Sequence, residues 1–375
     1  MNRIKIFQQV ISLTLVALLL VGCSGAQVDP TATVSVSSDK NQDIQQAVDE
    51  FITPYVEDGY FGGSILIAQG ENILISKGYG MANLEHDVPN TPQTKFRIGS
   101  VTKQFTAMAI LLLQEQGQLS VQDPVCDHIP DCPEAWQPIT IHHLLTHSSG
   151  IPDYRRFPDY RETMTLESTV EDTLKRFRDK PLRFAPPGAT FDYSNSGYIV
   201  LGYIIEQVSE TSYAEYLREN IFEPLNMMNT GYDFNHIVLK DRASGYRRVG
   251  ANKFRNAAYI DMSIPHADGG LYSAVEDLYL WDRALYTETL VSQNSLDMMF
   301  TPFVDMSPTA GYGYGWVITK ESNRGSVWHT GEDNGFRAYI ERFIDDDVVI
   351  IVLSNIENAS LGPGTPLTAI VFGEE

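Results

Sequence analysis

Phe96-Arg97-Ile98-Gly99-Ser100-Val101-Thr102-Lys103 joins a polar turn to a long apolar segment. Beyond it Val101, Phe105, Met108, Ala109 and Leu112 recur at helical spacing, and Gly117 suits the stop. Ser100 therefore sits at the first turn of a helix. Unpaired backbone N–H groups and the positive end of the helix dipole favour a developing anion there. Lys103 follows one turn later on the same face. A hydroxyl and an amine held together are the parts of an activated nucleophile. The spacing also suits a helix-capping serine beside a solvated lysine. A second Ser-x-x-Lys, Ser37 to Lys40, falls in a stretch that reads as linker.

Working outward, Ile44, Val48, Phe51 and Ile52 mark an amphipathic first helix. Ser64 to Ala68 and Ile73 to Ile75 flank Gln69-Gly70-Glu71-Asn72 and read as a hairpin. From about Pro92 to Phe300 the chain is mostly helices and long loops. The clearest expected helices are Tyr198 to Val208, Tyr213 to Phe222 and Val275 to Tyr286. Strands return at Ser326 to His329, Phe336 to Phe343 and Val348 to Leu353, with Asp345-Asp346-Asp347 as a turn. Pro366 to Phe372 can close the chain as a short helix. The expected class is α+β: one antiparallel sheet built from both chain ends, helices on its faces, and an inserted helical lobe.

The formal charge is −21. That surface is a poor match for nucleic acid or an anionic membrane face. Arg3 and Lys5 precede an apolar run from Val10 to Val21, short for a membrane span, which ends in Leu20-Val21-Gly22-Cys23. This resembles the bacterial lipobox, and the resemblance implies export with a lipid on Cys23. The expected division is a signal peptide over 1–22, a flexible tether over 23–42 and a catalytic domain over 43–375. Cys126 and Cys132 enclose a short Pro-containing loop; in an exported protein they are expected to form a disulfide, with metal binding as the rival reading. His143 and His147 are spaced to face a metal from one helix, but Leu144, Leu145 and Ser148-Ser149-Gly150 read as a packed helix end.

Two further stretches carry chemistry. In Phe191-Asp192-Tyr193-Ser194-Asn195-Ser196-Gly197-Tyr198 a loop leads into a helix, with Tyr193 and Asn195 able to point the same way. A phenol near an ammonium ionises more easily, so Tyr193 beside Lys103 is expected to take the Ser100 proton. Asn195 can hold a substrate amide. The competing reading is a capped helix with a core tyrosine. In Trp328-His329-Thr330-Gly331-Glu332-Asp333-Asn334 an apolar strand runs into small and polar residues, where an extended substrate could bond to the main chain.

Ser100-Val101-Thr102-Lys103, Tyr193-Ser194-Asn195 and His329-Thr330-Gly331, in this order, resemble the serine β-lactamase superfamily. The branch is that of class C β-lactamases, D-Ala-D-Ala carboxypeptidases and related esterases. The flanks His143 to Gly150, Ala267-Asp268-Gly269-Gly270-Leu271 and Tyr312-Gly313-Tyr314-Gly315-Trp316 match as well. The resemblance implies acylation of Ser100, proton handling by Lys103 and Tyr193, and substrate contacts from Asn195, His329, Thr330, Gly331 and Glu332. The backbone N–H groups of Ser100 and Glu332 would form the oxyanion hole, and no cofactor or metal is implied. The expected function is hydrolysis of an amide or ester, be it a β-lactam, a D-Ala-D-Ala-type peptide or a small ester. Partners are then a small-molecule or peptide substrate and, through the anchor, a membrane. The alternatives are a slow-deacylating penicillin-binding sensor and a non-catalytic binding protein.

His329 stands where class C β-lactamases carry Lys. If its imidazole titrates near ~6.5 and receives a substrate carboxylate, carboxylate substrates lose ground to neutral esters as pH rises. If it is a neutral hydrogen-bonding residue, they do not. A Glu332 carboxylate turned inward would repel anionic substrates.

Overall fold

Every residue of Val348–Ser354 is buried, because this strand lies inside the sheet with helices over both faces. A computed structural model of the chain describes residues 36–319, 324–359 and 366–374. The main sheet has eight strands: β1 (Gly63–Gln69), β2 (Asn72–Tyr79), β3 (Val304–Ser307), β4 (Ala310–Tyr312), β5 (Val317–Thr319), β6 (Val327–Asp333), β7 (Phe336–Phe343) and β8 (Val348–Ser354). Their order is β3-β4-β5-β6-β7-β8-β1-β2, antiparallel at every pairing. The two chain ends meet where Gly63 pairs with Ser354 and Gln69 with Val348.

The two-residue period of a strand divides the core. Leu66, Ala68, Val349, Ile351 and Leu353 face a large cluster. That cluster includes helix α2 (Thr102–Glu115), helix α3 (Asn195–Ser209) and helix α4 (Val275–Ala284). Ile65, Ile67, Val348, Ile350 and Val352 face the opposite way, against helix α1 (Val36–Glu57) and helix α5 (Pro366–Phe372). Ile44, Val48 and Ile52 of α1, four residues apart, form its buried stripe.

Lys40–Glu375 is one unit; of the other, Met1–Asp39, the described residues are the opening of α1. The tether expected over 23–42 is therefore helical from Val36 onward. No Gly or Pro interrupts the chain between Val36 and Pro54, so nothing local stops the helix. Cys23 and the signal peptide lie outside the described residues.

Helix α2, expected as a long apolar segment, is buried all round. All of Thr102 to Leu113 is buried, polar residues included, because the helix is enclosed by other elements on every side. Strands β3 to β5 extend the sheet beyond the segments read as strands. They are three or four residues long and rich in small and polar residues, too short to display an alternating pattern.

Candidate active site

Ser100 lies in a 3-10 turn, Gly99–Val101, which leads directly into α2. A small sheet holds that turn: Phe96–Arg97 pairs with Leu271–Ser273, and the Ile98 N–H donates to the Leu271 carbonyl at 3.0 Å. Two glycines bring the turn against β6. Gly99 has φ +48°, and a Cβ there would lie 2.7 Å from the Glu332 nitrogen. A Cβ on Gly331 would lie 1.8 Å from the Ile98 oxygen and 3.1 Å from the Ser100 nitrogen. The Ile98–Ser100 main chain thus lies close against that of Gly331–Glu332, an approach that side chains at either glycine would prevent.

Lys103 is fully buried one helical turn beyond Ser100. Its Nζ lies 2.9 Å from Asn195 Oδ1, 2.8 Å from the Asp268 main-chain oxygen and 3.1 Å from Ser100 Oγ. It also sits 5.0 Å and 5.3 Å from the ring centres of Tyr193 and Tyr198. Burial pushes the Lys103 pKa down to about 7, against the attraction of Asp268 and helped by the nearby Arg155. The Tyr193 hydroxyl is hydrogen-bonded to Ser100, but burial raises its pKa. The expectation that Tyr193 ionises beside an ammonium is therefore overturned. Desolvation of the phenolate outweighs the help of a neighbouring cation, and the same burial makes Lys103 the easier group to deprotonate.

Around this pair the side chains are already engaged. Asn195 donates to the Asp153 carboxylate at 3.3 and 3.4 Å. The buried Asp268 carboxylate pairs with Arg155 and accepts from the Tyr154 hydroxyl at 2.8 Å. A cavity of about 370 Å³ opens onto Ser100, Arg155, Tyr193, Asn195, Tyr312 and Thr330. These residues come from the Ser100 turn, the 154–156 turn, the approach to α3 and strands β4 and β6, and a cleft of this size accommodates a small organic substrate.

A profile of the family described as Beta-lactamase matches residues 45–369. The chain belongs to the beta-lactamase family. It is 32% identical over 317 residues to the putative penicillin-binding protein PbpX of Bacillus subtilis (strain 168), spanning 83% of this chain and 75% of that one. Among solved structures it is similar to the octameric penicillin-binding protein homologue of Pyrococcus abyssi. The TM-score is 0.77 at 32% identity, covering 89% of this chain and 78% of the other. It is also similar to a penicillin-binding protein of Bacillus halodurans, with TM-score 0.75 at 28% identity, covering 85% and 97%. The superfamily is that of beta-lactamase and transpeptidase-like serine hydrolases.

Within this beta-lactamase-family fold His329 does not behave as a titrating cation. It is buried, its Nε2 is 2.9 Å from the Tyr312 hydroxyl and its Nδ1 is 2.6 Å from the Thr330 main-chain oxygen. Burial, with Lys103 nearby, pushes its pKa down to about 3. The expectation of a titration near 6.5 is thus overturned in favour of the neutral reading. Glu332 pairs its carboxylate with Arg337, its cross-strand partner on β7, while the residue still lines the cavity that holds Ser100.

The three histidines of the 142–147 segment have separate roles. His142 Nδ1 meets the Tyr314 hydroxyl at 2.7 Å, and His143 Nδ1 accepts from the Thr140 N–H at 3.1 Å. His147, past the helix end with φ +55°, accepts from the Ser194 N–H at 3.2 Å and lies 4.1 Å from Tyr193, ring centre to ring centre. Cys126 and Cys132 are joined as a disulfide, with 5.3 Å between their Cα atoms. The residues that sequence reasoning missed are His147 as a support for Tyr193, together with Asp153, Arg155 and Tyr312. Their only signal was position: Asp153 and Arg155 follow closely on Gly150, and Tyr312 opens the quoted Tyr-Gly-Tyr-Gly-Trp.

Proposed function

We propose that the protein is a serine hydrolase that forms an acyl-enzyme on Ser100 and acts on an amide or ester bond. One observation carries this reading: the three partners of Lys103 Nζ. Two are carbonyl oxygens, which take two N–H bonds. The third direction faces Ser100 Oγ, so in the neutral amine it is a lone pair aimed at the serine proton. With a pKa of about 7, much of the amine is in that form at neutral pH.

In the proposed reaction Ser100 Oγ gives its proton to Lys103 and bonds to the substrate carbonyl carbon. The backbone N–H groups of Ser100 and Glu332 receive the carbonyl oxygen as it becomes an anion. Tyr193, kept un-ionised by burial, protonates the departing amine or alcohol, and the Lys103 ammonium restores that proton. Water then repeats the sequence to release the acyl group. Asn195 and Thr330 hold the substrate amide. The relatives named as penicillin-binding proteins support a β-lactam or a peptide of related shape; with His329 neutral, a simple ester fits the site as well.

A second reading, a sensor that is acylated and releases slowly, is favoured by the carboxylates. Asp153 is bonded to Asn195, Asp268 to Arg155 and Glu332 to Arg337, so release relies on the same Lys103 and Tyr193. Intact-protein mass spectrometry after a fluorescent penicillin and after an activated ester separates the two. Transient adducts with turnover mean an enzyme, and a lasting adduct means a sensor. Undiminished labelling of Ser100→Ala would remove Ser100 as the nucleophile. We further propose that a lipid on Cys23 anchors the protein to a membrane; native protein that stays out of detergent and lacks lipid mass at Cys23 would contradict this.

A further inference from the structure

A second cavity, of about 550 Å³, lies beside the turn that ends β6, lined by Tyr160, Arg161, Arg247, Arg255, Asn334 and Glu357 among others. Arg247 and Arg255 belong to a hairpin whose strands are Tyr246–Gly250 and Lys253–Asn256. Within a chain of charge −21, residues 246–256 hold four basic residues and no acidic one.

The fold explains only part of that charge. Arg248 points to the face opposite Arg247, where its guanidinium lies 3.6 Å from the Tyr60 ring centre and donates to the Asp58 main-chain oxygen. Arg247 and Arg255 are direct cross-strand partners, an arrangement in which like charges destabilise a hairpin. Arg161, from the short helix Tyr160–Thr163, adds a third guanidinium to the same cavity. The cavity's one carboxylate, Glu357, is 3.4 Å from Arg247. Arg161 and Arg255 have no carboxylate partner among the described residues.

This cavity is coupled to the Ser100 site through the main chain. Asn334 is two residues past Glu332, about 7 Å of extended chain. The hairpin base packs on the β6–β7 turn through two glycines: a Cβ on Gly335 would lie 2.6 Å from the Gly245 Cα, and one on Gly245 would lie 2.7 Å from the Phe336 ring. The hairpin is further tied to the sheet by Tyr246 N–H to Asn355 O at 2.9 Å and Glu357 N–H to Tyr246 O at 2.8 Å.

We propose that the cavity lined by Arg161, Arg247 and Arg255 is a subsite for an oxyanion, a phosphate or carboxylate group on an arm of the substrate remote from the acylated carbonyl. Guanidinium forks match both groups. The inference rests on Ser100 being the acylated residue. It differs from a carboxylate subsite at His329, because its cations are arginines and lie beyond the Asp333–Asn334 turn.

The test uses three activated esters with the same reacting end, whose arm ends in a neutral amide, a phosphonate or a carboxylate. The native protein is expected to prefer an anionic probe, with a preference that fades as salt rises from 0.05 to 0.5 M, values chosen about the Debye range. In the Arg161→Gln/Arg255→Gln double variant, the anionic-to-neutral ratio of kcat/KM should fall at least about fivefold, as for two lost charge contacts at an exposed site. Arg248→Gln, on the other face, should leave the ratio within about twofold. Comparing the two anionic probes identifies the preferred oxyanion. No anionic preference, or an unchanged ratio in the double variant, overturns the subsite while leaving the Ser100 reading intact. If no ester acylates Ser100, binding of the phosphonate- and carboxylate-ended amides to Ser100→Ala by calorimetry decides alone: equal affinity with and without the two arginines rejects the proposal.

Discussion

Acylation of Ser100 by a neutral activated ester is expected to accelerate about tenfold between pH 6 and pH 8, because that is where Lys103 loses its proton. The Lys103 amine is fully buried, and its pKa is pushed down to about 7. About a tenth of it is then unprotonated at pH 6 and about nine-tenths at pH 8. At an ordinary lysine value of ~10.4, under about 1% would be free at pH 8 and the rate would still be climbing steeply. The rate should therefore rise with pH and level off near pH 8.5. Lys103→Arg keeps a cation that does not deprotonate, and should slow acylation by about 10² to 10⁴ across the range. Stopped-flow single turnover from pH 5.5 to 9.5, at constant ionic strength and with a probe that does not titrate, reads both effects. Stability should follow the same group. The folded-state pKa is depressed, so the unfolded chain binds the extra proton between pH 7 and about 10. Native stability should therefore rise with pH through that window relative to Lys103→Met. A rate still climbing steeply at pH ~9.5, or a Lys103→Arg variant within about fivefold of native, would refute Lys103 as the base.

With His329 neutral, the ratio of kcat/KM for a carboxylate ester to that for a neutral ester should stay flat from pH 5.5 to 8; a fall centred near ~6.5 would return a charged role to His329. Gly99→Ala should lose at least about a hundredfold in acylation, since a Cβ at φ +48° meets the Glu332 nitrogen and displaces an oxyanion donor; native-like labelling would separate Gly99 from the site. His147→Ala removes the ring against Tyr193 and leaves the Ser194 N–H unpaired, so it should lower stability by about 1–3 kcal/mol and slow acylation, whereas His147→Phe should retain more of the rate. Equal rates in the two variants would show that the ring does not support Tyr193. Replacing Cys126 and Cys132 by Ser should lower stability by about 2 kcal/mol in thermal or denaturant unfolding, the loop-entropy value for a small ring; an unchanged midpoint would mean that the bridge contributes nothing.

Much of the site was legible because its first half is local. Ser100 and Lys103 are three residues apart on adjoining helical turns, so local geometry puts their side chains on one face, where they meet at 3.1 Å. The contact between Lys103 and Asn195 crosses 92 residues of chain, and the sequence reading had given Asn195 to the substrate amide instead. The Asp268 carbonyl was less visible still, since any residue supplies a main-chain oxygen. Among the strands, Val348–Ser354 announced itself by apolar length and Phe336–Phe343 by its aromatic and aliphatic residues between turns. Val304–Thr319 did not, because its strands are shorter than the pattern that would reveal them.

By itself the sequence determined what short-range geometry controls: the terminal hairpins, the helical register of Ser100 and Lys103, and a cysteine spacing able to close. Only the tertiary structure decided the protonation states. Lys103, Tyr193 and His329 would each have an ordinary pKa in an open chain. Enclosure by α3, the Asp268 segment and β4 removes their water and supplies fixed partners. Desolvation penalises every charged form, so it favours the neutral amine, the un-ionised phenol and the neutral imidazole. Those are properties of what surrounds a side chain, and the surroundings come from residues tens to hundreds of positions away.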